Sequence, residues 1–221
     1  MFLIVFDLDG TLVDSRKDLA DSANQLICEL GGSSLPEETV GQMVGEGAAV
    51  LVRRALAAAG VPETSASLPR FLDIYNDRLL VHTRVYDGIT EVLRAVRPHA
   101  CLAVLTNKPT GPSDRILAGL GLQDLFDEVT GGDGPWPRKP EPASLLAMIE
   151  RFEATRETTL LVGDSIIDRE TAARAGVRCA LAAYGFGYAS LPPSRLPGDE
   201  WIATTPSELL NVIERFLRLS A

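Results

Sequence analysis

Short apolar runs alternate with helical patterns along most of the chain, and this alternation restricts the fold more than any other feature. The runs are FLIVF, CLAVLT, DEVTGG, TLLVGD, CALAAYG and EWIAT, and helical patterns bounded by Pro or Gly separate most of them. Strands that alternate with helices form a mostly parallel sheet covered on both faces. The sequence therefore predicts an α/β protein with a Rossmann-like parallel sheet core.

One stretch interrupts the alternation. From Ser15 to about Arg84 the pattern is helical throughout, and strand–helix order then resumes. We expect residues 1–14 and 85–221 to form a discontinuous α/β core, and residues 15–84, called the cap below, to form an inserted all-α domain. An insert directly after the first strand lies over that strand's carboxyl end, where open parallel sheets bind ligands.

The net charge of the chain indicates which class of binding partner it suits. The 221 residues carry 30 acidic and 21 basic side chains, a net charge of −9, with no run of Lys or Arg. This balance disfavours nucleic acid and anionic membranes and favours a small-molecule substrate. The first apolar run is too short to span a bilayer and follows no basic stretch, so we expect a cytoplasmic protein. For the oligomeric state, the expectation is a monomer or homodimer.

Two further expectations concern loops and thiols. The Pro- and Gly-rich segments 131–142 and 185–200 are predicted to be loops. Cys28, Cys101 and Cys179 are far apart among apolar neighbours, so we expect core thiols rather than a zinc site or disulfides.

Polar residues stand where four predicted strands end. They are Asp7 and Asp9 after FLIVF, Thr106 in CLAVLT, Lys139 in the loop after DEVTGG, and Asp164 in TLLVGD with Asp168 shortly after it. Taken singly, each has an ordinary structural interpretation, such as a helix N-cap, a strand-end turn or a solvated charge. When all of them fall at equivalent ends of one parallel sheet, a shared binding site becomes the better interpretation.

Several carboxylates that converge on one crevice repel each other unless a cation is shared between them. Mg²⁺ takes oxygen ligands, including a few carboxylates, water and substrate phosphate. Thr106, Lys139 and the backbone N–H groups around Gly10 are suited to hold the outer oxygens of a phosphoryl group. An aspartate is then a credible nucleophile, because carboxylates form aspartyl phosphates.

The segments FDLDGT, TNKP, RKPEP and VGDSIIDRETAARAG, in this order, resemble the haloacid dehalogenase superfamily, specifically its phosphatases with a helical cap. The resemblance implies a Mg²⁺-dependent phosphoric monoester hydrolase acting on a small phosphorylated metabolite through an aspartyl phosphate. It implies that Asp7 is the nucleophile and Asp9 the general acid/base. It assigns phosphate binding to Thr106, Asn107 and Lys139, and the metal to Asp7, Asp9, Asp164 and Asp168.

The cap segment VGEGAAVLVRRAL and TNKP look most like phosphoglycolate phosphatases. Gly45, Glu46, Gly47 and Arg53 are the candidates for the substrate-facing part of the cap. Arg53 and Arg54 lie off the apolar stripe of their helix, so a solvated basic face is the alternative for them. Glu46 departs from the neutral residue expected between these glycines, and its charge could repel a substrate carboxylate. Phosphoglycolate is therefore one candidate among similar phosphomonoesters.

Two alternatives remain open. Sugar-phosphate mutases of the same superfamily typically have a valine after the glycine of FDLDG and a histidine in the cap, whereas this chain has Thr11 and no histidine before His82. A signalling domain that carries an aspartyl phosphate also uses Asp, Thr and Lys at strand ends. Such domains are about half this length and have no helical insert.

Overall fold

A computed structural model describes residues 1–191, 198 and 201–219, and within them six parallel strands form one sheet in the order β5-β4-β1-β6-β7-β8. These strands are β1 (Leu3–Phe6), β4 (Cys101–Leu105), β5 (Glu128–Thr130), β6 (Thr159–Gly163), β7 (Arg178–Ala182) and β8 (Trp201–Ala203). Between β1 and β4 in the chain, β2 (Val13–Asp14) and β3 (Arg84–Val85) form a short antiparallel pair. The predicted α/β fold class with a parallel sheet is confirmed.

The first strand is central and completely buried. Leu3 pairs with Cys101 of β4 on one side and with Thr159 of β6 on the other. Every residue of β1 is buried, which explains why this strand is a continuous apolar run rather than an alternating one.

Helices cover both faces of the sheet. They are α5 (Ile89–Val96), α6 (Thr110–Gly119), α7 (Ala143–Arg151), α8 (Ile166–Ala175) and α9 (Pro206–Leu219). Ile4 and Phe6 share one buried apolar cluster with α5, α6 and α9, whereas Leu3 and Val5 share a second cluster with α7 and α8. Successive residues of β1 thus point to opposite layers, as the pleat requires.

The helical stretch lies between β2 and β3. It contains α1 (Arg16–Glu29), α2 (Glu37–Gly41), α3 (Ala48–Ala58) and α4 (Ser67–Arg78), and α1 packs against the other three. In α3, Leu51, Val52, Ala55 and Leu56 form the buried stripe. The division into a core and a cap at residues 15 and 84 stays a prediction.

One expectation from the sequence was wrong, and another can be compared with the structure only in part. Cys28 is exposed on the last turn of α1, where its Sγ lies 3.4 Å from Ser34 Oγ, so it is not a core thiol. Cys101 is half-buried, and Cys179 is buried. Residues 192–197 and 199–200 of the predicted loop 185–200 lie outside the described residues.

Throughout the described part of the chain, every helix is too short or too polar to cross a bilayer.

Candidate active site

The ends of three neighbouring strands meet at one cavity. Asp7 follows β1, Thr106 follows β4 and Asp164 follows β6, and all three line this cavity together with Asp9. Because β4, β1 and β6 are adjacent and parallel, their carboxyl ends lie at the same edge of the sheet. The fold therefore brings together side chains that are far apart in the sequence.

Three carboxylates form a buried cluster beside the cavity. One oxygen from each of Asp7, Asp164 and Asp168 lies within 4.8 Å of the others. Lys139 Nζ lies 2.9 Å from Asp7 Oδ1 and 2.6 Å from Asp168 Oδ1. The ammonium group offsets part of the negative charge, but three acidic side chains face one lysine.

Burial and this imbalance of charge raise the pKa values of two of these aspartates. Burial raises the pKa of Asp7 to about 6, against the lowering effect of Lys139. Burial, reinforced by the charges of Asp168 and Asp7, raises the pKa of Asp164 well above its ordinary value. Asp7 Oδ1 is also buried and accepts no hydrogen bond of good geometry. The cluster is thus an oxygen-rich site in which carboxylates outnumber the one ammonium group.

The backbone around the cluster is shaped to admit these carboxylates. Gly10 has φ +86°, and a Cβ there would lie 1.9 Å from Asp164 Oδ2. Asp164 also accepts a hydrogen bond from the Gly187 backbone N–H at 2.7 Å. Asp168 is not the N-cap of α8: Ser165 is, and the Asp168 carboxylate accepts from its N–H at 3.1 Å and its Oγ at 2.6 Å. This capping box fixes Asp168 at the third helical position.

Asp9 has a different environment from Asp7. It accepts a hydrogen bond from Ser15 Oγ at 2.5 Å and contacts Lys108 Nζ at 2.9 and 2.7 Å through its two oxygens. Sequence reasoning did not identify Lys108, although it is part of TNKP and lies two residues beyond Thr106. Its position just after a strand of the parallel sheet was the available signal.

Two predicted phosphate-binding residues lie at the end of β4. Thr106 is buried, and its Oγ1 accepts a hydrogen bond from the Lys108 backbone N–H at 3.3 Å. Asn107 Nδ2 donates to the carbonyls of Gly45 at 2.8 Å and Lys139 at 2.9 Å. The Asn107 amide nitrogen is thus committed to joining the cap loop to the core.

The cap reaches the cavity through the loop before α3. Gly45 and Gly47 line the cavity, with φ angles of +119° and +89°. Glu46 forms an ion pair with Arg54 at the surface of the cap. Arg53 is exposed on α3, and neither Glu46 nor Arg53 is among the described residues that line the cavity.

The cavity is small, with a volume of about 50 Å³. Its cap side is mainly apolar, with Leu19, Leu51, Phe71 and Tyr75 in the wall, whereas the core side carries the carboxylates. This division favours a small ligand with a charged end held by the core.

Comparison with known proteins identifies the family. The family model described as haloacid dehalogenase-like hydrolase matches residues 4–182. The chain belongs to this family. It is 42% identical over 192 residues to a phosphoglycolate phosphatase of Rhodospirillum rubrum, covering 83% of this chain and 80% of the relative. It is 33% identical to one of Colwellia psychrerythraea, covering 96% and 97% of the two chains.

The solved structures agree with this assignment. The crystal structure of a predicted phosphoglycolate phosphatase from Haemophilus somnus superimposes with a TM-score of 0.89 at 33% identity, covering 96% of this chain and 98% of that one. As a member of the family with such relatives, this hydrolase is a phosphoric monoester hydrolase acting on a small substrate.

Proposed function

We propose that this hydrolase is a Mg²⁺-dependent phosphatase of phosphoglycolate that works through an aspartyl phosphate. The observation that carries the proposal is the cluster of Asp7, Asp164 and Asp168, whose oxygens lie within 4.8 Å beside a cavity that also contains Asp9 and Lys108. The substrate is suggested by relatives named phosphoglycolate phosphatase at 33 to 42% identity.

The residues present fit Mg²⁺. The cluster offers carboxylate oxygens, which Mg²⁺ prefers, and the buried Asp7 Oδ1 accepts no good hydrogen bond within the described residues. Asp7, Asp164 and the backbone carbonyl of Asp9 would hold the ion, with Asp168 supporting it. When bound, Mg²⁺ supplies positive charge that offsets the carboxylates and the phosphoryl oxygens.

Asp7 then acts as the nucleophile. Its carboxylate oxygen bonds to phosphorus while the bond from phosphorus to the ester oxygen breaks. Asp9 donates a proton to the departing alkoxide, which leaves as an alcohol. Thr106 and Lys139 bind the outer phosphoryl oxygens and balance their charge.

Hydrolysis of the aspartyl phosphate restores the enzyme. Asp9, now ionised, takes a proton from water as the water oxygen attacks phosphorus. The phosphorus–Asp7 bond breaks, so the Asp7 carboxylate and inorganic phosphate are released. Asp9 thus ends the cycle in the protonation state in which it began.

The test measures phosphate release by the purified protein from phosphoglycolate and from 2-hydroxyethyl phosphate, with Mg²⁺ and with excess chelator. We expect Mg²⁺-dependent release, faster from phosphoglycolate. Full activity in chelator would exclude the metal, and hydrolysis of the neutral ester alone would exclude phosphoglycolate. Isomerisation of a sugar phosphate without phosphate release would favour a mutase, and a long-lived phosphoprotein without turnover a signalling domain. A cytoplasmic monomer or homodimer stays the expectation from the sequence.

A further inference from the structure

Lys108 is a buried cation that faces the cavity. Its side chain is 5% exposed and that of Asp9, its ion-pair partner, is 11% exposed. Among the described residues that line the cavity, Lys108 is the one with a cationic side chain. Its Nζ contacts both oxygens of the Asp9 carboxylate, at 2.9 and 2.7 Å. This ion pair holds the ammonium at the wall of the cavity.

Tyr75, from α4 of the cap, stands against the same ammonium. Lys108 Nζ lies 4.7 Å from the centroid of the Tyr75 ring, within the range of a cation–π contact. The Tyr75 hydroxyl is buried and makes no hydrogen bond in the described part of the chain. Burial raises its pKa to about 12, so the hydroxyl keeps its proton and remains a donor without an acceptor. A buried donor of this kind is costly unless a ligand supplies the acceptor.

The neighbouring wall is apolar. Leu19, Leu51, Phe71 and Leu72 line the cavity on the side of Tyr75. An anion at this wall would meet a cation at Lys108 and a hydrogen-bond donor at the Tyr75 hydroxyl. Lysine has three N–H donors, which allows Lys108 to bind a second carboxylate without releasing Asp9.

We propose that Lys108 and Tyr75 bind the carboxylate of the substrate's leaving group and so select phosphate esters of short hydroxy acids. This inference rests on the proposed function. In phosphoglycolate the carboxylate carbon is two bonds from the ester oxygen that Asp9 protonates. Lys108 contacts the Asp9 carboxylate and is therefore close enough to bind the substrate carboxylate. A longer leaving group would place its charge farther from Lys108.

The experiment compares two substrates of the same length that differ in charge, phosphoglycolate and 2-hydroxyethyl phosphate. We expect Lys108→Met to lower the ratio of their kcat/KM values by about 10- to 100-fold, since it removes a charge-assisted hydrogen bond. Most of the loss should lie in KM for phosphoglycolate, because the contact exists before reaction. Tyr75→Phe should lower the same ratio several-fold.

Lys17→Met is the matched control, because Lys17 is exposed on α1 and pairs with Asp21. It should leave the ratio unchanged. Equal losses of kcat on both substrates in Lys108→Met, with an unchanged ratio, would overturn the inference, because Lys108 would then act only on Asp9. This result differs from failure of the proposed function, in which the wild type itself does not hydrolyse phosphoglycolate.

Binding provides a second measurement that does not depend on catalysis. Calorimetry compares 3-phosphonopropanoate, which cannot be hydrolysed, with 3-hydroxypropylphosphonate. Tyr75→Phe removes one oxygen and keeps the ring against Lys108, so it decides the question if Lys108→Met yields no folded protein. Weaker binding of the acid alone supports the inference, and equal changes for both ligands overturn it.

Discussion

Asp7 and Asp9 are separated by one residue but face different partners. Asp7 lies 2.9 Å from Lys139 in the buried acidic cluster, whereas Asp9 binds Ser15 and Lys108 on the cavity side. The buried cluster holds Asp7 in a fixed position at the cavity wall, which suits a nucleophile. The cavity side suits a group that exchanges a proton with the substrate and then with water.

Substitution should separate these two roles. Asp7→Asn should abolish both turnover and the acid-stable phosphoprotein, because the attacking carboxylate oxygen is lost. Asp9→Asn should slow turnover by roughly 10²- to 10⁴-fold through the loss of proton transfer. Rapid quenching with labelled substrate measures both quantities. Asp124→Asn, at an exposed acid outside the site, is the control, and equal, mild losses in both site variants would contradict the assignment.

The raised pKa of Asp7 also predicts how stability depends on pH. Burial raises this pKa from 3.8 to about 6, so between these values the folded protein holds a proton that the unfolded chain has released. The free energy of unfolding of the metal-free protein should therefore fall as the pH rises through this window and stay low above it.

Bound Mg²⁺ should relieve this destabilisation. We expect saturating Mg²⁺ to raise the Tm by about 5–10 °C at pH 7 and by less at pH 5, where protons compete for the carboxylates. Thermal unfolding with and without Mg²⁺ at the two pH values measures the effect. Asp164→Asn should reduce the gain, and a gain that is the same at both pH values would argue against a metal at this cluster.

At the scale of elements, strand ends carry the candidate catalytic residues, and one cap loop lines the same cavity. The loop before α3 touches the core closely: a Cβ on Gly47 would lie 3.2 Å from the Asn107 carbonyl oxygen and 3.0 Å from Arg138 Nη1. The Asn107 side chain in turn holds the Gly45 carbonyl at 2.8 Å. The position of this loop relative to β4 is therefore set by direct contact.

The two glycines allow a matched comparison. Both have positive φ, so Ala at either position should cost on the order of 1 kcal/mol of stability. A Cβ on Gly45 meets no atom within 4 Å, whereas one on Gly47 pushes the loop away from the core. We expect Gly47→Ala to lower kcat/KM for phosphoglycolate by roughly tenfold, and Gly45→Ala by clearly less. Steady-state kinetics and denaturant unfolding of both variants measure this, and equal kinetic losses would contradict it.

At the scale of the whole molecule, a buried carboxylate joins the two connections between cap and core. Asp18, in the first turn of α1, is fully buried and accepts hydrogen bonds from the backbone N–H groups of His82, at 2.9 Å, and Thr83, at 2.7 Å. It also accepts from Thr83 Oγ1 at 2.8 Å. The chain entering the cap is thus tied to the chain leaving it, beside the β2–β3 pair.

Removing the Asp18 carboxylate should lower the stability of the protein and also disturb the position of the cap. Asp18→Ala leaves buried donors without an acceptor, so we expect a loss of about 2–4 kcal/mol in the free energy of unfolding and a lower kcat/KM. Asp21→Ala, on the same helix, removes only partly exposed contacts, with Lys17, Arg78 and His82, and should cost about 1 kcal/mol or less. Urea unfolding of the two variants is the measurement, and equal losses would show that Asp18 has no special role.

The sequence by itself determined the elements and the residues at the strand ends. FLIVF, CLAVLT and TLLVGD are continuous apolar runs because their strands are buried on both faces, and this pattern is local. An aspartate directly after such a run must lie at the carboxyl edge of a parallel sheet. Asp7 and Asp164 could therefore be placed together without coordinates.

Only the tertiary structure decided which side chains face each other across long separations. Lys108 meets Asp9 and Tyr75, residues from different parts of the chain, and Glu46 is paired with Arg54 rather than directed into the cavity. The exposure of Cys28 was likewise misjudged from its apolar neighbours. Apolar periodicity reports which face of an element is buried, whereas the partner of a charged group depends on how helices and strands pack in three dimensions.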